Sequence, residues 1–299
     1  MTTPVAEPVL LNTWSETARY SRWRLRRWPI SSIVILSVLI VSAVFAPLIA
    51  PHDAKLGDLG DRHIPPMLFG GTSDHILGTD SLGRDIFSRI VHGARISVVV
   101  TVVTLGVGGI IGTLLGVVSG YAGGWVDEVI MRIVDIKFAV PLILIALALA
   151  VVLGPSLGLL LGLLVFLVWG HFARQVRAEV LVIVTMDYVA AARSCGASPI
   201  RIMYRHILPG VISIVAVVGT LQVGAVVLAE ASLSFLGAGV PPPTPAWGSM
   251  VAEGRLYIAT AWWVSLIPGV VIGLLVIAVT LLGDWLRDRL DPRLRQIQG

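Results

Sequence analysis

A series of apolar runs that starts at residue 30 and recurs to residue 282 constrains this chain more than any other feature. The runs cover 30–50, 96–120, 139–153 (reaching back through Ile133), 157–172, 207–229 and 263–282. A helix needs about 20 apolar residues to cross the hydrocarbon core of a bilayer. In lipid, only a structure that satisfies its own backbone N–H and C=O groups can make that crossing. A water-soluble fold could bury such runs only behind a charged surface. Here 13% of the 299 residues are charged, about half the usual share, and the mean hydropathy is +0.89. The sequence therefore predicts an all-α integral membrane protein with six transmembrane helices. They form one domain over 30–285, with polar tails over 1–29 and 286–299. The first run follows Arg19, Arg22, Arg24, Arg26 and Arg27. Its length, and Pro47 directly after Ala46, favour an uncleaved helix over a signal peptide.

Six crossings put both termini on one side. That side collects the five N-terminal arginines, Arg132, Lys137, Arg174, Arg177, Arg193, Arg201, Arg205, Arg287, Arg289, Arg293 and Arg295. The other side holds Lys55, Arg62, Arg84, Arg89, Arg95 and Arg255, the first five of them interspersed with Asp53, Asp58, Asp61, Asp74, Asp80 and Asp85. The more basic side is the cytoplasm, so 51–95 and 236–262 face outward and 173–206 faces in. The pI near 9.6 is then a topology signal, not a mark of nucleic-acid binding. Cys195 is the single cysteine, which excludes an intrachain disulfide and a cysteine-based zinc site. The histidines show no ligand spacing along the chain, and the sequence assigns no metal.

Gly108, Gly112, Gly116 and Gly120 recur every four residues and share one helix face. Such a stripe admits a second helix at close range in lipid, either as fixed packing or as a gate. The outward loop 51–95 is long for a bare connection, and 85–95 has the spacing of a short amphipathic helix. Asp80, Arg84 and Asp85 either lock this loop through local ion pairs or touch a partner outside. Trp247, behind the stiff run Pro241-Pro242-Pro243, has the same two readings. Glu230 sits near the outer end of the fifth run, where a charge is a functional candidate or a partner for a neighbouring helix. Lys137 is placed to snorkel to the inner interface. Residues 18–28 form either a short amphipathic helix on the inner headgroups or an irregular tail with Trp anchors.

The cytoplasmic segment FARQVRAEVLVIVTMDYVAAARSCGASPIRIMYRHILP (172–209) is too rich in Ala, Val, Ile and Met for disorder. Good helix formers run from Tyr188 to Cys195. Gly196 breaks them, and Ser198-Pro199 restarts a helix as N-cap and first helical residue. A protruding apolar helix pair suits docking into a groove on another protein.

This stretch resembles the coupling loop of permeases in bacterial ATP-binding-cassette importers, whose pattern is Glu-Ala-Ala, three residues, Gly, nine residues, Ile-x-Leu-Pro. Ala190, Ala191, Ala192, Gly196, His206, Leu208 and Pro209 fall at that spacing, with Arg205 beside them. Ala190 stands where Glu is typical and His206 where Ile is. HILGTDSLGRDIFSRIVHGARIS (75–97), GYAGGWVDEVIMRIVD (120–135), AEASLSFLGAGVPPPTPAWGSM (229–250) and LLGDWLRDRLDPRLR (281–295) are similar to the second-type (C-type) permease subunit of dipeptide, oligopeptide and nickel importers. The resemblance implies the type I importer permease fold in the bacterial cytoplasmic (inner) membrane. It implies a second homologous permease, two ATP-binding-cassette ATPase subunits or domains, and an extracytoplasmic solute-binding protein that Asp80, Arg84, Asp85 and Trp247 would meet. It also implies that this chain binds no cofactor, with ATP and Mg²⁺ held by the ATPases. The chain has no Gly-rich phosphate loop with Lys and Ser/Thr, and no set of nucleophile, base and metal residues of the kind a membrane enzyme needs. An ion-driven secondary transporter would place acidic residues near the midplane, and the runs lack them. Peptide is the cargo the resemblance favours, a nickel complex the alternative.

Overall fold

The computed structural model describes residues 29–290; the tail residues 1–28 and 291–299, including the amphipathic segment expected over 18–28, lie outside the described residues. The described chain is helical, with no β-strand among the described residues beyond the isolated bridge Thr79–Asp85. Its main elements are α1 (Ile30–Val44), α2 (Ala46–Ile49), α3 (Ile86–Ala122), α4 (Gly124–Ala139), α5 (Leu142–Leu153), α6 (Leu157–Ile183), α7 (Asp187–Ser194), α8 (Pro199–Ile202), α9 (Leu208–Phe235), α10 (Trp247–Gly254) and α11 (Trp263–Leu290).

Four helical stretches are long and apolar enough to cross a membrane: Ile86–Ala122, Leu157–Ile183, Pro199–Phe235 and Trp263–Arg289. The expected third run is different. It is a pair of helices, α4 and α5, bent by 78°. Pro141 is the cause: its ring drives the preceding Val140 out of the α region, to φ −99° and ψ 123°. The expected first run is also interrupted. α1 ends at Phe45, and Pro47 sits in the first turn of α2. The fourth run continues well past residue 172, to Ile183. The amphipathic helix expected over 85–95 leads into the second run without a break. It forms the first turns of α3, a 37-residue helix about 55 Å long at 1.5 Å per residue.

The glycine stripe explains the central packing. Val165 and Val168 lie against Gly108, Trp169 and Phe172 against Gly112, Ala173 and Val176 against Gly116, and Arg177 and Val180 against Gly120. Two four-residue periods are in register, so α3 and α6 run parallel in direct backbone contact. α9 packs against both, α11 packs on α9 and α10, and α1 lies against α3 and α11. Much apolar surface stays uncovered: Val102, Ile110, Val151 and Ile277 are all more than half exposed. Such a surface is stable only against lipid or another subunit.

Lys137 departs from the snorkelling expectation. It is buried between α4 and α6, its ammonium donating to the Leu167 carbonyl and lying 3.9 Å from the centre of the Phe138 ring. Gly170 leaves the room for its stem.

Candidate functional site: a projecting arm and a buried clamp

The two ends of the bundle differ. At one end, residues 51–85 and α10 form a cap. At the other, residues 186–207 form an arm.

The arm is held by its own backbone hydrogen bonds. α7 stops in a C-terminal motif in which the Ala197 N–H donates to the Ala192 carbonyl at 3.1 Å and the Gly196 N–H to the Arg193 carbonyl at 2.9 Å. Gly196 has φ +75°, and a Cβ there would meet nothing within 4 Å. Its need for Gly is thus conformational, not steric. The Ser198 hydroxyl then accepts from the Arg201 N–H at 3.4 Å, with Pro199 in the first turn, as the sequence predicts. Residues Met203–Ile207 form a π turn leading into α9. Pro209 supplies a reason, since it lacks an N–H and its ring would crowd the carbonyl four residues back; the wider turn relieves both problems.

One face of the arm is keyed into the bundle. Val189, Ile202 and Ile207 are buried with Val117 of α3, Val176, Val180 and Ile183 of α6, and Val211 of α9. Arg193 lies over the Tyr121 ring at 5.4 Å. The other face is open. Ala190, Ala191, Gly196, Arg205 and Pro209 are exposed, and Ala192, His206 and Leu208 are half-buried. Beside them stand Ile200 and Tyr204, 76% and 74% exposed. These two lie four residues apart, on one side of the helical stretch 199–207. The sequence reading passed over them. The alternation of Ile202 and Ile207 inward with Ile200 and Tyr204 outward is the signal that could have found them.

At the cap, Asp80, Arg84, Asp85 and Trp247 are brought together but are turned inward, each less than 5% exposed. Arg84 Nε donates to Asp80 Oδ2 at 2.7 Å, and Arg84 Nη2 to Glu253 Oε2 at 2.7 Å. Arg89 bridges the same two carboxylates, its Nη1 also donating to Glu253 Oε2 at 2.9 Å. Two cations and two anions thus form a closed clamp between the loop, α3 and α10. Asp80, Arg84 and Arg89 are buried while the Glu253 side chain is 27% exposed, so removing one of the three buried members strands the others, at a cost of about 3–5 kcal/mol. Asp85 caps α3, accepting from the Ser88 N–H at 2.7 Å. Trp247 lies across Gly93, where a Cβ would sit 2.7 Å from the indole, and its Nε1–H donates to the Ile90 carbonyl at 3.0 Å. These side chains hold the cap together and expose little surface of their own. Glu253 and Arg89 were not among the sequence candidates. Glu253 lies 164 residues from Arg89, and no local pattern links them.

Glu230 is buried near the end of α9, with the Ser234 hydroxyl donating to its Oε1 at 2.9 Å. An apolar groove of about 590 Å³ opens between α3, α6 and α9, lined by Leu105, Ile110, Leu114, Phe172, Val211 and Val215.

Comparison with known proteins agrees with this geometry. The family model described as "Binding-protein-dependent transport system inner membrane component" matches residues 112–296. The glutathione transport system permease protein GsiD of Escherichia coli O157:H7 is 42% identical over 294 residues, covering 98% of this chain and 95% of that protein. GsiD of Shigella sonnei matches to the same extent. Among solved structures, an inward-facing conformation of the MetNI methionine ABC transporter superimposes with a TM-score of 0.58 at 21% identity, over 69% of this chain and 98% of that one. At that identity the likeness speaks for the fold alone.

Proposed function

This chain belongs to the family of binding-protein-dependent transport system inner membrane components, and from that premise we propose how it works. It is a multi-pass permease subunit of an ATP-driven importer. In our reading it crosses the membrane six times, with both termini in the cytoplasm. The parallel course of α3 and α6 supports this count, because the intervening α4–α5 pair must return the chain from the arm end to the cap end. The charge asymmetry of the loops supports the orientation, which puts the arm in the cytoplasm and the cap outside.

The observation that carries the mechanism is the Ile200–Tyr204 face on an arm whose opposite face is buried in α3, α6 and α9. An exposed aromatic and aliphatic pair on a protruding helix pair outside the bilayer is suited to docking in a groove on another protein. We assign that partner as an ATPase subunit, one of two, which bind ATP and Mg²⁺; this chain supplies no chemistry of its own. When the ATPases close, they carry the arm with them. Because the arm's core is continuous with three helices, the motion tilts those helices and alternates access to the pathway. A second, similar permease completes the pathway, and the apolar groove between α3, α6 and α9 is suited to that shared wall. A solute-binding protein delivers cargo to the cap.

For cargo we propose small peptides, by analogy with relatives that carry glutathione, a tripeptide. The assembled complex with its binding protein, reconstituted in vesicles, is expected to import labelled glutathione or dipeptide only when ATP and Mg²⁺ are present on the ATPase side. Import of a nickel complex, with no peptide uptake, would refute the cargo and keep the importer. Absence of any ATP-dependent uptake would refute both.

A further inference from the structure

The cap carries a second constellation that the transport mechanism does not use. His52 follows α2, His75 lies in the loop, and Asp85 begins α3. His75 Nδ1 is 3.1 Å from Asp85 Oδ1, His52 Nδ1 is 4.0 Å from Asp85 Oδ2, and the two imidazole centres are 4.7 Å apart. One ligand atom from each of the three residues lies within 4.8 Å of the other two. We propose that His52, His75 and Asp85 form a binding site for a divalent cation of the zinc type on the outward face of this subunit.

The donor set decides the class of ion. Two imidazole nitrogens and one carboxylate suit Zn²⁺ or a similar first-row ion; Mg²⁺ and Ca²⁺ take oxygen shells. The distances fit. Bonds of about 2.0 Å in a tetrahedral shell place neighbouring ligand atoms about 3.3 Å apart. The His75–Asp85 edge already has that length. The His52 edge is longer: His52 Nδ1 is 4.0 Å from the other carboxylate oxygen, Oδ2, and with one ligand atom per residue the three atoms lie within 4.8 Å of one another, so the set must close by up to about 1.5 Å; His52 is the member with room to move, its side chain 39% exposed while that of Asp85 is 1% exposed. The Asp85 side chain and the His52 backbone are held in advance. Asp85 is fixed by the Ser88 N–H, and the His52 backbone N–H donates to the Ser88 hydroxyl at 3.1 Å. Asp85 Oδ2 accepts one hydrogen bond from Ser88 and keeps a lone pair for a metal.

The surroundings favour a cation as well. The three residues line one wall of a cavity of about 570 Å³, to which Asp53, Asp58, Asp61 and Asp74 also contribute. No Lys or Arg side chain lines it among the described residues. A concave surface of one sign concentrates counter-ions, and the cavity leaves the fourth coordination position open to water or to a group from a partner. A bound ion would staple the end of the first helical segment, the loop and the start of α3 into one unit.

A plain His75–Asp85 hydrogen bond is the competing explanation, and metal binding separates the two. The complete importer complex, stripped with a chelator, is dialysed against micromolar Zn²⁺, and bound zinc is counted per copy of this subunit. The wild type is expected to hold one more Zn²⁺ than the double variant His52→Gln, His75→Gln. His52→Gln alone, at a half-exposed position that leaves the fold intact, is expected to weaken binding at least about 100-fold, in keeping with loss of a direct ligand. His92→Gln, outside the cluster, retains full binding. Co²⁺ in place of Zn²⁺ gives a visible absorption band that the double variant lacks. Equal zinc content in wild type and both variants, or none in any, overturns the site. The count is independent of cargo and of ATP hydrolysis, so it stands or falls apart from the importer mechanism.

Discussion

A Gly196→Pro subunit is expected to insert and assemble but to lose import, and cargo-stimulated ATP hydrolysis with it, by at least about tenfold, the factor that 1.4 kcal/mol represents. Three effects combine at this residue. Proline holds φ near −65°, whereas the chain turns at φ +75°. It removes the N–H that binds the Arg193 carbonyl. It also restricts Cys195, the residue before it. α7 and α8 can then no longer meet at their present angle, and Ile200 and Tyr204 are displaced with α8. The bundle itself is untouched, since nothing packs on Gly196. Gly196→Asn is the control. Asn tolerates the left-handed conformation and has open space around it, so it should keep most of the activity. Assays of ATP hydrolysis with and without loaded binding protein, alongside a membrane-insertion check, distinguish the two variants. Full coupling in Gly196→Pro would show that the arm geometry is unimportant.

Gly112→Val acts at the opposite level, on the fold. A Cβ at this position would overlap the Trp169 carbonyl oxygen and lie 2.7 Å from Phe172 Cβ. A backbone carbonyl inside a helix cannot step aside, so α3 and α6 must separate. Separation breaks the register of all four glycines and opens voids around Val168 and Val176. Overpacking of a core costs about 1–3 kcal/mol, and more where backbone must move, against a total stability of about 5–15 kcal/mol. The amount of folded subunit in the membrane is expected to fall at least about fivefold, the factor corresponding to 1 kcal/mol. Gly106→Val controls for helix propensity, because Gly106 is in the same helix with nothing within 4 Å of its Cβ position. Protease resistance of the two variants in native membranes measures the difference. Equal resistance would mean that the helices are not locked at Gly112.

These two residues were legible from sequence for physical reasons. A four-residue glycine period on a helix face in lipid marks close approach of a second helix, and a Gly between good helix formers and Ser-Pro marks a turn. Features that depend on distant contacts left no such trace. The clamp of Asp80, Arg84, Arg89 and Glu253 joins α3 to α10 across most of the chain, and the meeting of His52 with His75 and Asp85 depends on the path of an irregular loop. Lys137 was read as an interfacial charge because nothing local shows that the Leu167 carbonyl will receive it. The bend between α4 and α5 was within reach. Pro141 stands inside the third run, and its effect on Val140 is a local rule. Candidate residues for the arm were found from their spacing, yet the two most exposed side chains, Ile200 and Tyr204, required the three-dimensional face to be seen.

The central claim, that the arm is where ATPase force enters this subunit, is tested most directly by co-purification. The tagged subunit is drawn from its native membrane in mild detergent, and the chains that accompany it are identified and counted, for the wild type and for the double variant Ile200→Glu, Tyr204→Ala. The wild type is expected to bring a second permease and two ATPase chains; the variant should keep the permease and lose the ATPases. Undiminished ATPase recovery with the variant, or a wild-type subunit that carries no ATPase at all, would contradict it.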